Sequence, residues 1–343
     1  MSLLLIDGDI LTYQVGFACQ KTFYTVGDRT FKTLKQAVEF KKSSVQNGYA
    51  ILKHFVVGSA SDAEMILRQK INSILKDCGT TEFRIFLTGK GNYRFDIAKF
   101  QPYKGNRKPE SKPKLYGIIR EILVEAYQAE MVEGMEADDK LGILACDLDL
   151  KKKYQTLIIA SIDKDLKTIP GFHFNLNTKE LLKVSTDEAN KAFFMQCLTG
   201  DAVDNIPSLR QVAKKYAAPG VEKWLSYHSY LAKARTFFDS HTVEECRQYV
   251  FNQFRHINAP DEVRNEICNL LFILRSYDES WYNWDSRFFA PYTYKKQEDD
   301  LCLQGLMIGK LGLSQCSTTG VLSLSQESIS SIKQDAGDST LHV

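Results

Sequence analysis

The chain has 343 residues, enough for one large domain or two modest ones with a substantial core. A quarter of them are charged, yet the net charge is only +2, which excludes a globally basic polyanion binder and leaves room only for a local patch. Eight scattered cysteines without a C-x-x-C pair, and six histidines without H-E-x-x-H spacing, exclude a disulfide framework and the common zinc patterns.

Leu3–Ile6 reads as a buried strand running directly into Asp7-Gly-Asp9, too short and insufficiently basic to be a signal peptide. Thr22–Lys32 alternates about Gly27-Asp28, which predicts a hairpin. Ala63–Lys76 has helical apolar spacing, and Phe83–Leu87 is a second core strand. Residues 89–114 are polar, lysine-rich and interrupted by three prolines. Helices are predicted over Leu115–Tyr127 and Ala137–Leu148, and strands over Thr156–Ser161 and Phe172–Leu176. Strands alternating with helices predict an α/β fold with a mostly parallel twisted sheet over 1–185. A helical lobe is expected over 186–313, and a flexible Ser/Thr/Gln-rich tail over 314–343. No run approaches the ~20 apolar residues of a membrane span, so a soluble cytoplasmic protein without a membrane partner is expected.

The acids fall into four clusters, each at an element end: Asp7 and Asp9; Glu136, Asp138 and Asp139; Asp163 and Asp165; Asp201 and Asp204. A hydrophobic strand feeding into Asp presents its carboxylate at the C-terminal edge of a parallel sheet, where open α/β sheets bind ligands. One such Asp is equally a helix cap, and acids in a first helical turn answer the macrodipole. Four clusters together exceed what capping needs. Were they to converge, each like-charged pair at ~4 Å and an effective dielectric of ~20 would cost about 4 kcal/mol. Hard cations such as Mg²⁺ or Mn²⁺ would make the crevice tolerable. The pattern predicts a two-metal phosphoryl-transfer enzyme.

Within the lysine-rich segment, Lys99, Lys104, Arg107, Lys108, Lys112 and Lys114 surround Glu110, with Tyr93, Phe95, Phe100 and Tyr103 interleaved. Such a run is commonly a solvated loop. Cations for phosphates combined with rings for unpaired bases point instead to a nucleic-acid contact.

These pieces resemble the 5′ nuclease superfamily: flap endonucleases, the 5′ nuclease domain of bacterial DNA polymerase I, and bacteriophage 5′–3′ exonucleases. The likeness rests on IDGD at 6–9, YKGNR at 103–107, GMEADD at 134–139, SIDKDLKTIPG at 161–171 and GDAVDNIP at 200–207. In size and in its short lysine-rich segment the chain looks most like the phage members. The resemblance implies a PIN-like fold and Mg²⁺- or Mn²⁺-dependent hydrolysis of DNA from 5′ ends or flaps, extending to RNA–DNA hybrids. It assigns Asp7, Glu136 and Asp138 to the metal that activates water. A second metal region would comprise Asp139, Asp163, Asp165, Asp201 and Asp204, with Asp9 as an added acid. Lys104 and Arg107 would act on the scissile phosphate, and Tyr103 would stack on the terminal base. Tyr93, Arg94, Lys99 and Lys108 would contribute to an arch over the single strand.

Two departures stand out. The family commonly carries another acid after the second core strand, where this chain has Gly89. The glycine-rich helix–hairpin–helix that follows GDAVDNIP in the family is replaced by SLRQVAKKYA at 208–217, which leaves Lys214 and Lys215 as phosphate contacts and argues against K⁺ dependence. Two other readings stand beside the nuclease: a non-catalytic nucleic-acid-binding scaffold, and a haloacid-dehalogenase-like phosphatase using Asp7 and Asp9.

Overall fold

In a computed structural model of the chain, residues 1–43, 48–107, 112–225, 228–289, 313–314 and 323–324 are described. Internal contacts divide it into two units. The first comprises Met1–Phe193, Val203–Asn205 and Phe272–Trp281. The second comprises Phe194–Ala202, Ile206–Leu271 and Tyr282–Val343.

The first unit starts with β1 (Ser2–Asp7), α1 (Gly8–Ala18), β2 (Gln20–Val26), β3 (Arg29–Phe31), α2 (Leu34–Ser43), β4 (Ile51–Val57) and α3 (Ala60–Cys78). It continues with β5 (Glu82–Thr88), α4 (Arg94–Ile97), α5 (Tyr116–Tyr127), β6 (Glu130–Val132), α6 (Ala137–Cys146) and α7 (Leu148–Lys153). Then follow β7 (Thr156–Ser161), β8 (Gly171–Asn175), β9 (Leu181–Val184) and α8 (Thr186–Thr199), whose last turns belong to the second unit.

Six strands form one sheet in the order β6-β5-β1-β7-β8-β9, parallel except for β9. β1 is central because its sequence, SLLLID, is apolar on both faces, as a strand covered by helices on both sides requires. Leu4 and Ile6 face a core completed by Leu11, Leu67, Ile119 and Leu123 of α1, α3 and α5. Leu3 and Leu5 face the opposite core, which holds Leu141 and Leu144 of α6. The chain leaves β1 toward β5 and β6 and later returns to its other side as β7. Its C-terminal edge is therefore the switch point at which such sheets open a crevice.

The predicted hairpin is present, with Gly27 at φ 56° in its turn. It belongs to a separate three-stranded antiparallel sheet, β3-β2-β4. The sequence reading did not anticipate β4, α2, or the short strands β6 and β9.

In the second unit α8 ends and is followed by α9 (Leu209–Tyr216), α10 (Val221–Trp224), α11 (His228–Ser240), α12 (Val243–His256) and α13 (Asp261–Leu271). Most of α14 (Trp281–Phe288) also belongs there, as does a two-residue pair, β10 (Leu313–Ser314) with β11 (Ser323–Leu324). Its core includes a buried Arg247 gripping Asp285 through two 2.6 Å bonds, and the Cys197 and Cys268 thiols at 3.6 Å. The six cysteines among the described residues are free thiols. None of the helices among the described residues is long and apolar enough to cross a membrane. The expected tail over 314–343 lies almost entirely outside the described residues.

Gly8 starts α1 directly against β5. A Cβ there would lie 2.7 Å from the Phe86 carbonyl oxygen and 2.8 Å from side-chain carbons of Ile85 and Leu87. The Gly8→Ala variant is expected to lose about 1–3 kcal/mol through overpacking. Urea unfolding measures this, and unchanged stability would show that the contact relaxes freely.

Candidate active site

Asp7 closes β1 and caps α1, accepting the Ile10 N–H at 3.0 Å. Its second oxygen accepts the Ser161 hydroxyl at 2.7 Å from the end of the neighbouring strand β7. Ser161 Oγ in turn accepts the Asp163 N–H at 3.0 Å, and Asp163 accepts the Asp165 N–H at 2.8 Å. Parallel registry of β1 with β7 thus brings two of the four clusters together. Glu136 and Asp138, from the start of α6, supply the third. Burial, and then the charge of Asp9, lift the Asp7 carboxyl from 3.8 to about 7. Burial followed by Asp7, Asp163 and Glu136 pushes Asp138 well above the carboxylate range, against the pull of Lys104. Asp7, Asp138, Asp163 and Glu136 therefore form one electrostatically coupled set.

The lysine-rich segment brings positive charge to this set. The Lys104 ammonium pairs with Glu136 and stands 3.5 Å from Asp204. Arg107 pairs with Asp204 at 2.5 Å. The Tyr103 hydroxyl donates to Asp204 at 2.7 Å and to Glu136 at 3.1 Å, while Asn92 donates to Glu136 at 2.9 Å. Lys104 holds a left-handed backbone, φ 54°, in a turn whose Lys104 N–H donates to the Asp204 carbonyl at 2.8 Å. For a residue with a Cβ that conformation costs about 1–2 kcal/mol.

Several expectations are corrected. Asp139 is fully buried and accepts four hydrogen bonds: two from Arg94 at 2.5 and 2.9 Å, and one each from the Glu136 and Leu274 N–H groups at 3.1 Å. With its lone pairs so engaged, it pins structure rather than a metal. Arg94, expected to bind nucleic acid, is the other half of that pair and only 2% exposed. Tyr103 is 4% exposed, so its ring offers no open stacking surface, whereas Phe95, edge-on to it at 5.4 Å, is 58% exposed. Asp9 is held by Arg120 and by the Thr88 N–H at 3.0 Å. The Thr88 hydroxyl accepts the Ala137 N–H at 3.0 Å. A side chain at that position would start 2.5 Å from the Glu133 carboxylate and 2.6 Å from the Val132 carbonyl, so the local packing admits only glycine.

Tyr93 is half-buried with the Arg94 guanidinium 4.8 Å from its ring centroid, and Lys99 is exposed. Lys108 lies outside the described residues. Asp201 belongs to the second unit, where its backbone bridges Ile206. Lys214 and Lys215 are exposed in the last turn of α9, which the Ser208–Gln211 capping box starts. Sequence reasoning missed Ser161, Asn92 and Arg120. A hydroxyl ending a core strand beside two Asp-bearing edges was the available signal for Ser161; Arg120 sits in an ordinary amphipathic helix and gave none.

Among the described residues no three acidic, histidine or cysteine side chains stand as a finished metal cage. The donor chemistry is nevertheless that of a hard cation: the coupled set is all carboxylate, its mutual repulsion incompletely answered by Lys104. Mg²⁺ commonly takes only one or two carboxylates and keeps several waters.

Fold and site define a doubly wound α/β protein with coupled carboxylates at its switch point. No family model matches the chain. It is similar to a 5′–3′ exonuclease of Buchnera aphidicola, 29% identical over 43% of this chain and 55% of that protein. It is also similar to the exodeoxyribonuclease of Enterobacteria phage T3, 32% identical over 30% of this chain and 34% of the relative. The chain thus spans about half and about a third of these relatives' lengths. A crystal structure of the T5 D15 protein with metal ions aligns over 79% of this chain and 98% of its own, with 15% identity and a TM-score of 0.41. The resemblance to 5′ nucleases read from the motifs is borne out by the named relatives.

Replacing Arg94 by Met strands the buried Asp139 charge and is expected to cost about 3–5 kcal/mol in chemical denaturation. A loss below 1 kcal/mol would show that Asp139 is not held as an ion. A second expectation concerns pH. With its pKa raised from 3.8 to about 7, Asp7 binds more protons folded than unfolded between those values, so stability falls as pH rises through that window. The melting temperature without metal should drop from pH 5 to pH 8, less steeply in Asp7→Asn. Added Mg²⁺ should stabilise more at pH 8 than at pH 5; equal shifts would dissociate the metal from these acids.

Proposed function

We propose that the protein is a divalent-metal-dependent 5′–3′ exonuclease, with flap endonuclease activity, that hydrolyses DNA phosphodiesters. The observation that carries this reading is the coupled set Asp7, Asp138, Asp163 and Glu136 at the sheet's C-terminal edge, bordered by Lys104. The names of the Buchnera and phage T3 relatives support the same reaction class.

In this reading Asp7, Glu136, Asp138 and Asp163 hold Mg²⁺ or Mn²⁺, with Asp165 and Asp204 assisting a second ion. When bound, two such ions would supply Lewis-acid stabilisation of the attacking and leaving oxygens and an acidified water. The chain's own residues do the rest. Lys104 places an ammonium beside the carboxylates, where it offsets charge developing on the phosphoryl oxygens. Arg107 presents a planar fork suited to a neighbouring phosphate. Burial, with the charge of Glu136, pushes the Tyr103 phenol far above its ordinary range, so it stays a donor that holds Glu136 and Asp204 in place. Exposed Lys99, Lys214 and Lys215 would contact phosphates. RNA–DNA hybrids are proposed as a further substrate, since backbone contacts do not select the sugar of the displaced strand.

One observation favours a second reading. The packing at Gly89 leaves no room for an acid, so the carboxylate set is smaller than in the family, as a non-catalytic nucleic-acid binder would have it.

A 5′-labelled flap duplex and a blunt duplex, each with Mg²⁺, Mn²⁺ or EDTA, separate the two. Metal-dependent release of mono- or short oligonucleotides from the labelled end is expected. Tight binding without release in either metal would select the non-catalytic reading. Asp138→Asn should lower cleavage at least 100-fold with binding within a few-fold of wild type. Lys104→Ala should lower kcat far more than affinity; equal losses would make Lys104 only an affinity residue.

A further inference from the structure

The segment between α1 and α3, residues 19–59, has no part in the site described above. It folds into the separate sheet β3-β2-β4 with α2. It carries seven lysines and arginines against two acids, a net of +5 in a chain that nets only +2. The strand register divides its residues between two faces. Tyr24, Val26 and Phe31 share the face on which α2 packs, with Phe31 against Phe40 at 5.1 Å and Ala37 fully buried.

The opposite face is open. Phe23 pairs across the strands with His54, and the two rings stack at 4.9 Å and 16°. The Thr25 hydroxyl fixes the His54 ring through Nε2 at 2.9 Å. On either side the register sets Lys21 beside Val56 and Thr25 beside Leu52. Val56 and Leu52 are 59% and 56% exposed.

This sheet also receives the end of the lysine-rich segment. The Lys114 N–H donates to the Gln20 side chain at 3.0 Å, and the Lys114 and Lys53 ammonium groups lie 5.2 and 4.9 Å from the Phe55 ring centroid. By the register Lys53 and Phe55 share the α2 face with Tyr24, so these two cations border the same small sheet from its other side, within one unit.

We infer that the open face of β2 and β4, with the Phe23–His54 stack at its centre and Lys21 beside it, binds single-stranded nucleic acid. Lys21 on this face, in a segment of net positive charge, suits a polyanion. Two near-parallel rings flanked by exposed apolar side chains suit unpaired bases, whose faces a duplex conceals. The inference deepens the nuclease reading on which it rests: the sheet would hold the single strand that the acidic edge cuts.

The test is fluorescence anisotropy of a 5′-labelled oligothymidylate of about 20 nucleotides in EDTA, which makes binding independent of cleavage. Phe23→Ala should weaken binding about tenfold, the loss of one stacked base. Val56→Glu, at a site open enough to tolerate the change, should weaken it comparably. Lys21→Glu should reduce the slope of log affinity against log salt by about 0.7 or more. Circular dichroism confirms folding, and turnover of saturating blunt duplex should match wild type in all three. Wild-type affinity and salt slope in folded Val56→Glu and Lys21→Glu would overturn the inference, leaving the face to a protein partner. Because cleavage is scored separately, a wild type that binds the oligonucleotide through this face but never cleaves would sink the nuclease reading alone.

Discussion

The buried pair of Arg94 and Asp139 fastens three stretches of chain that are remote in sequence. Asp139 lies in the first turn of α6 and also receives the Glu136 N–H, which fixes the angle at which Glu136 and Asp138 enter the site. Arg94 opens α4 at the start of the lysine-rich segment and also donates to the Phe272 carbonyl at 2.8 Å. The Leu274 N–H closes the arrangement on Asp139. Burial alone would lower the Arg94 pKa, but the charge and hydrogen bonds of Asp139 outweigh it and hold the pKa well above the ordinary value. Two ions removed from water in this way contribute little net stability, yet neither tolerates loss of its partner. The pair therefore acts chiefly on geometry, setting where the neighbouring acids and cations meet.

Against that frame the remaining acids sort by company. Asp9 and Asp204 face arginines. Glu136 has Lys104, Tyr103 and Asn92 around it. Asp7 has desolvation and the charges of Asp9 and Asp163 set against two hydrogen bonds, and Asp138 has desolvation with Asp7, Asp163 and Glu136 set against Lys104. The site is thus a gradient from neutralised to repelling carboxylates rather than a uniform acidic bowl. The repelling end is where a cation gains most, and the neutralised end keeps Lys104 and Arg107 close without letting them collapse onto every acid.

Much of this was legible in the sequence, for definite reasons. LLLID and TLIIAS are apolar on both faces, as a helix-covered parallel strand requires, and each runs into its acid. The acid clusters could be placed because strand ends locate them. Arg94 could not be read correctly: in a lysine-rich loop an arginine looks like a phosphate ligand, and nothing local announces a partner 45 residues on. Tyr103 misled for a similar reason, since burial of an aromatic in a polar segment depends on the acids it bonds. β6 and β9 were too short for a period to register, and β4 mixes lysine and histidine among its apolar residues. The glycine at position 89 was read as a lost acid; the packing shows a position where a side chain would meet both the Glu133 carboxylate and the Val132 backbone carbonyl.

The turn at Lys104 has a wider consequence. A left-handed backbone is natural to glycine or asparagine, yet the chain places there a long cationic side chain with a Cβ. At this position thermal robustness and chemistry pull in opposite directions: the residue most comfortable for the backbone carries no ammonium. Consensus-style stabilisation of this loop would drift toward a sturdier protein that has lost the charge beside its acids. Gln128 and Lys179 adopt the same region, so what sets Lys104 apart is not its φ alone but that its side chain reaches Glu136 and Asp204.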